Sequence, residues 1–115
     1  MDISTQGYDN LRSYIQTNWK YLELQSSTGT PILRITTTDS RVTITNANGK
    51  ITYTLVLKGS DSGITVGSTE VGKSAIFNAA SGGTAFSTEI FTSFTFAGTQ
   101  DELTVTHELQ VPKVN

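Results

Sequence analysis

The chain contains no cysteine, which removes disulfide frameworks and thiolate metal sites from consideration. It has a single histidine, His107, and one imidazole without thiols is too few ligands for an ordinary zinc site. Charge is scarce. Asp, Glu, Lys and Arg make up 16% of 115 residues and leave a net charge of −2, so there is no electrostatic drive toward nucleic acid or an anionic membrane. No apolar run approaches the ~20 residues that cross a bilayer. The N-terminal MDISTQGYDN has neither the basic nor the apolar region of a secretory signal, so none is expected. Proline occurs only at Pro31 and Pro112, so it can blunt few sheet edges.

What is abundant is hydroxyl. Ser and Thr exceed a quarter of the residues, and β-branched, polar threonine suits the wet face of a strand. A chain of this length forms one domain with one core. The reading is an all-β protein: an antiparallel β-sandwich of about seven to eight strands with one short N-terminal helix, residues 1–18 forming the helical segment or arm and 19–112 the β core.

The helical candidate is residues 4–17. Tyr8, Leu11 and Ile15 share one face, Asp9 is placed to cap a helix starting at Asn10, Arg12 and Ser13 face water, and Gly7 argues against an earlier start. Residues 19–25 and 32–36 flank a Gly- and Pro-containing turn and form a first hairpin. Residues 41–46 and 51–58 flank Asn48-Gly49, the pair that accepts a type I′ turn, and form a second. Ile51, Tyr53, Leu55 and Leu57 are its apolar face. Residues 64–66 are at most a short strand, 67–73 a loop, and 74–79 a further strand. Residues 84–111 show two runs of alternation and read as a long antiparallel hairpin with one oily and one wet face, Phe86, Ile90, Phe94 and Phe96 of the first run and Leu103, Val105, His107, Leu109 and Val111 of the second forming the oily side.

Motifs for chemistry are thin. His107 lies among apolar neighbours with no acid at triad spacing and reads as structural. Ser60-Asp61-Ser62-Gly63 lacks the further acids of a calcium loop and reads as an Asx-type turn. Residues 66–73, VGSTEVGK, lack phosphate-loop spacing. No catalytic, metal or cofactor residue is assigned. Tyr8, Tyr14, Trp19 and Tyr21 concentrate near the N-terminus and are the candidate interface or ligand contacts. Trp19 and Tyr21 oppose Leu22 and Leu24, which fits either a stacking platform for a glycan or a cover for one end of the core.

The runs NWKYLELQSSTGTPILRITTTDSRVT, KGSDSGIT, SGGTAFSTEIFTSFTF and DELTVTHELQVP resemble small all-β structural proteins encoded among the tail and capsid genes of bacteriophages and prophages. The resemblance lies in Thr-rich strands, Gly-Ser loops and the lack of a catalytic cluster. It implies a non-enzymatic virion component (tail, connector or capsid-decorating subunit) made in the bacterial cytoplasm, whose partners are itself and other virion proteins, with no nucleic acid or membrane. A carbohydrate- or protein-binding module is the alternative. Thr-rich strands 41–46 and 51–58 read as permissive edges, and a homo-oligomer is expected to use sheet edges together with residues 1–20.

Overall fold

The computed structural model describes residues 2–112. One helix, α1 (Thr5–Asn18), precedes seven strands: β1 (Tyr21–Gln25), β2 (Pro31–Thr36), β3 (Val42–Ala47), β4 (Lys50–Lys58), β5 (Glu70–Phe77), β6 (Ser87–Thr95) and β7 (Glu102–Gln110). They form two antiparallel sheets, β2-β1-β5-β6 and β3-β4-β7. Their apolar faces meet in one core, a sandwich-like arrangement. The chain makes a hairpin in the first sheet, crosses over, makes a hairpin in the second, and crosses back for β5 and β6. β7 then returns to the second sheet.

Both early hairpins form where their turn chemistry places them. Asn48 and Gly49 have φ of 57° and 75°, the two positive values a type I′ turn requires. Ile51, Tyr53, Leu55 and Leu57 are wholly buried. On β7 they face Leu109, His107, Val105 and Leu103 in register.

The long hairpin of residues 84–111 does not form. β6 pairs with β5 and β7 with β4, so residues 96–101 cross between sheets. Phe96, wholly buried, goes into the core at the start of that crossing. Its carbonyl accepts from Gly67 N–H (2.7 Å), and the Asp101 carboxylate accepts from Ala97 and Gly98 N–H (2.8 and 3.1 Å). The face assignment in β6 also changes midway. Between Val71 and Lys73 the register with β5 shifts by two extra residues on β6, from Phe94 to Ile90. This bulge turns Phe91 and Phe94 toward the core and leaves Ile90 75% exposed.

Residues 64–66 form no strand, and β5 begins at Glu70, inside the segment expected to be a loop. β4 is central in its sheet rather than an edge, whereas β3 is an edge.

Helix α1 starts earlier than Gly7 suggested. Ser4 is the N-cap, its hydroxyl oxygen accepting from Gly7 N–H at 3.1 Å. Glycine suits this first turn because Ile3 folds back over it: a Cβ there would stand 2.7 Å from Ile3 Cγ2. Asp9 is not a cap but pairs with Arg12. Arg12 is buried rather than solvated. It donates to the Val111 carbonyl and so ties α1 to the segment after β7. Ile15 enters the core, while Leu11, expected on the docked face, is 42% exposed.

Candidate functional site

The four N-terminal aromatics occupy different surroundings. Tyr8 and Tyr14 stand about 120° apart around α1; Tyr8 is half-buried and Tyr14 is 60% exposed. Trp19 ends the helix and packs on the core. Its ring meets Phe86 at 4.9 Å between centroids, and its carbonyl accepts from the buried Tyr53 hydroxyl at 2.7 Å. Burial pushes the Tyr53 phenol pKa up. Tyr21 lies half-buried on β1. Trp19 therefore covers one end of the core, and Tyr14 is the most open of the four.

His107 is wholly buried, and all its polar needs are met by two serines. Nδ1 lies 2.7 Å from the Ser74 hydroxyl on β5, and Nε2 lies 2.8 Å from the Ser87 hydroxyl on β6. β7 is thereby pinned to both neighbouring strands of the opposite sheet. A groove of about 390 Å³ beside Ser87 is lined also by Glu89, Glu108, Leu109 and Gln110. The geometry superficially suits an activated serine. However, burial lowers the His107 pKa to about 4, and so weak a base removes a hydroxyl proton poorly at neutral pH. The arrangement suits a hydrogen-bonded rivet between sheets.

A second polar cluster lies on the far side of the first sheet. Glu23 on β1 and Arg34 on β2 stand opposite in register and form an ion pair at 2.8 Å. Gln25 donates to the other Glu23 oxygen. Arg34 also donates to the carbonyls of Ala79 and Gly82, both at 2.9 Å, and its guanidinium lies 3.5 Å from the Phe77 ring centroid. It thus clamps the 78–86 loop over β5. A groove of about 550 Å³ runs beside it, between residues 31–34 and 80–83. The sequence marks His107 as structural but not its serine partners, and it passes over Glu23 and Arg34, although these are the single charges of their strands and so mark a cross-strand pair.

The Asp61 turn closes on itself. Its carboxylate accepts from Lys58 N–H at 2.8 Å and pairs with Arg41 at 3.5 Å. Arg41 also grips Asp39 through two 2.9 Å contacts. Those hydrogen bonds hold Asp39 down at a pKa of about 2. Among the described residues no group of three or more His, Cys, Asp or Glu could hold a metal.

The outward side of α1 is apolar. Leu11 and Tyr14 lie about 60° apart around the helix, and Ile3 reaches the same side over Gly7. The outer face of the β3-β4-β7 sheet is hydroxyl-rich: Thr43 lies beside Thr54 and Thr54 beside Thr106, with Thr45 beside Thr52. Lys50–Glu108 and Lys58–Glu102 pairs stand at its two ends. No protein-family model, curated protein or solved structure matches the chain.

Proposed function

We propose that this chain is a non-enzymatic structural protein of a bacteriophage or prophage virion, of the tail, connector or capsid-decorating kind, which works by assembling with its own copies and docking on other virion proteins. The observation that carries assembly is the outward side of α1. Ile3, Leu11 and Tyr14 are 51%, 42% and 60% exposed, on a helix that is itself docked through Arg12 and Ile15. Apolar side chains grouped in this way on a surface mark a contact with another macromolecule. The virion setting rests on the resemblance of the Thr-rich strands and Gly-Ser loops.

Removing the whole helix is a poor test, because Ile15 and Arg12 would leave the core with it. The double variant Leu11→Ser/Tyr14→Ser keeps the docked side intact. Light scattering over a concentration series should give assemblies for the native chain and a lower mass for the variant, at an unchanged denaturation midpoint. A native chain that stays monomeric at every concentration would sink self-assembly.

A carbohydrate- or protein-binding module is the second reading, favoured by the groove along Arg34 and by the Trp19–Phe86 pair. Glycan-array binding that is lost in Trp19→Ala or Arg34→Ala would replace the assembly reading with this one.

A further inference from the structure

We propose that the free edge of β3 pairs with the same edge of a second copy, antiparallel about a twofold axis at Ile44, fusing two three-stranded sheets into one of six strands, β7-β4-β3-β3-β4-β7. This deepens the assembly reading and rests on it.

Sheet edges invite pairing unless something blunts them, and three of the four edges are blunted. β2 opens with Pro31 and has an irregular register at Gln25. The Gly63 turn passes beside it, where a Cβ on Gly63 would stand 3.9 Å from the Ile32 carbonyl. β6 carries the bulge between Phe94 and Ile90. β7 carries the charged Glu102 and Glu108. β3 has none of these features. Residues 42–47 contain no charge and no proline, and the register with β4 is unbroken.

The direction of its backbone groups follows from one bond. Val56 N–H donates to the Arg41 carbonyl at 3.1 Å, and bonded pairs recur at every second residue of an antiparallel ladder. Arg41, Thr43 and Thr45 therefore turn their backbone groups toward β4, while Val42, Ile44 and Asn46 turn theirs outward. The Val42 N–H is taken by the Asp39 carbonyl at 3.0 Å. The N–H groups of Ile44 and Asn46 and the carbonyls of Val42, Ile44 and Asn46 remain for a new strand.

Parity then restricts the register. Opposed residues must share a face, or the inner and outer surfaces of the sheet are exchanged. Centring on Ile44 opposes Ile44 with Ile44 and Val42 with Asn46 as the bonded pairs. Thr43 then meets Thr45 of the second copy in the unbonded pairs, where side chains stand closest. No like charges meet, and the threonine rows run on through the junction. A pairing of six residues is small beside a standard interface, so the association is concentration-dependent.

Sedimentation velocity over a concentration series tests the idea with three double variants, each first shown to keep the native denaturation midpoint. Thr43→Lys/Thr45→Lys opposes lysine with lysine twice across the axis and should weaken dimerisation about tenfold or more. Thr43→Lys/Thr45→Glu opposes lysine with glutamate and should restore it. Thr104→Lys/Thr106→Lys adds the same charge to the same sheet face, two strands from the edge, and should have much the smaller effect. An assembly that forms but ignores Thr43→Lys/Thr45→Lys, or yields equally to the β7 variant, overturns the β3 junction and leaves self-assembly standing. A failure of the glutamate variant to recover overturns the Ile44-centred register. A native chain that is monomeric throughout overturns both the junction and the self-assembly on which it rests.

Discussion

Acidification through the range where free histidine titrates should weaken this protein, and His107 sets the size of the effect. In the fold its ring is enclosed, and burial lowers its pKa from 6.5 to about 4. The unfolded chain therefore binds a proton there that the folded chain refuses, between roughly pH 6.5 and 4. Stability is full above that window and falls as pH descends through it. Below about pH 4 both states carry the proton, and this residue contributes no further loss. A difference of about 2.5 units at 1.36 kcal/mol each amounts to about 3 kcal/mol. That figure is a ceiling, because the Ser74 and Ser87 hydroxyls can rotate to accept from a charged ring. Against a total of roughly 5–15 kcal/mol for a domain it is a large share.

The assay is urea denaturation of the native chain and of His107→Gln from about pH 7.5 to 4.5. Glutamine keeps a polar group near the serines but does not titrate. Carboxylates contribute equally to both proteins, and Asp39, held at about 2, releases its contribution only below this window. The native chain should lose stability more steeply, with the two curves separating below about pH 6.5. Parallel curves would refute the account: the ring would then not be a neutral, enclosed rivet.

Two glycines separate backbone strain from steric clash. Gly49→Val should cost on the order of 1 kcal/mol or more through φ of 75° alone, since a Cβ there meets nothing within 4 Å; an unchanged urea midpoint would remove the type I′ turn. Gly59→Ala should cost about 1–3 kcal/mol for the opposite reason, because its Cβ would stand 2.2 Å from the Gly98 carbonyl oxygen; a native-like midpoint would mean that the 96–101 crossing yields freely. On the phenylalanine-rich strand, Phe96→Ala should cost about 3–5 kcal/mol. Ile90→Thr should stay within about 0.5 kcal/mol in the monomer, and a core-sized loss for it in thermal melts would restore the shared oily face expected from alternation.

Phe96 and Ile90 also show where sequence reasoning runs out. Period-two alternation tells which residues share a face of one strand, and it works for Ile51, Tyr53, Leu55 and Leu57 because β4 is regular throughout. It does not register a bulge. The irregular backbone between Phe94 and Ile90 breaks the alternation itself, so these two residues, four apart, separate to core and solvent. Nor does alternation tell which sheet a strand joins. The six residues 96–101 can close a hairpin, or can span roughly 20 Å extended, enough to cross the ~10 Å between facing sheets. The decisive feature is the burial of Phe96 within the connection, a contact with residues far away in sequence. The helix shows the same limit. Its existence follows from periodicity, but the choice between Leu11 and Arg12 for the docked side depends on the Val111 carbonyl, which only the fold brings near.

Edge and centre are likewise properties of order rather than pattern, since β3 and β4 are both Thr-rich alternating strands. One residue of β3 nonetheless records its place. Val42 and Ile44 occupy its inward positions, and the next inward position is Asn46, which reaches Gln16 of α1 at 3.3 Å instead of entering the core. β4 opposes that asparagine with Ile51, wholly buried. A central strand needs apolar side chains along its full inner face because it has sheet on both sides and core beneath. An edge strand can let its inner face fade into polarity at one end, where the core gives out. The Asn46 that marks β3 as an edge also leaves its N–H directed away from β4, in the position a second copy would use.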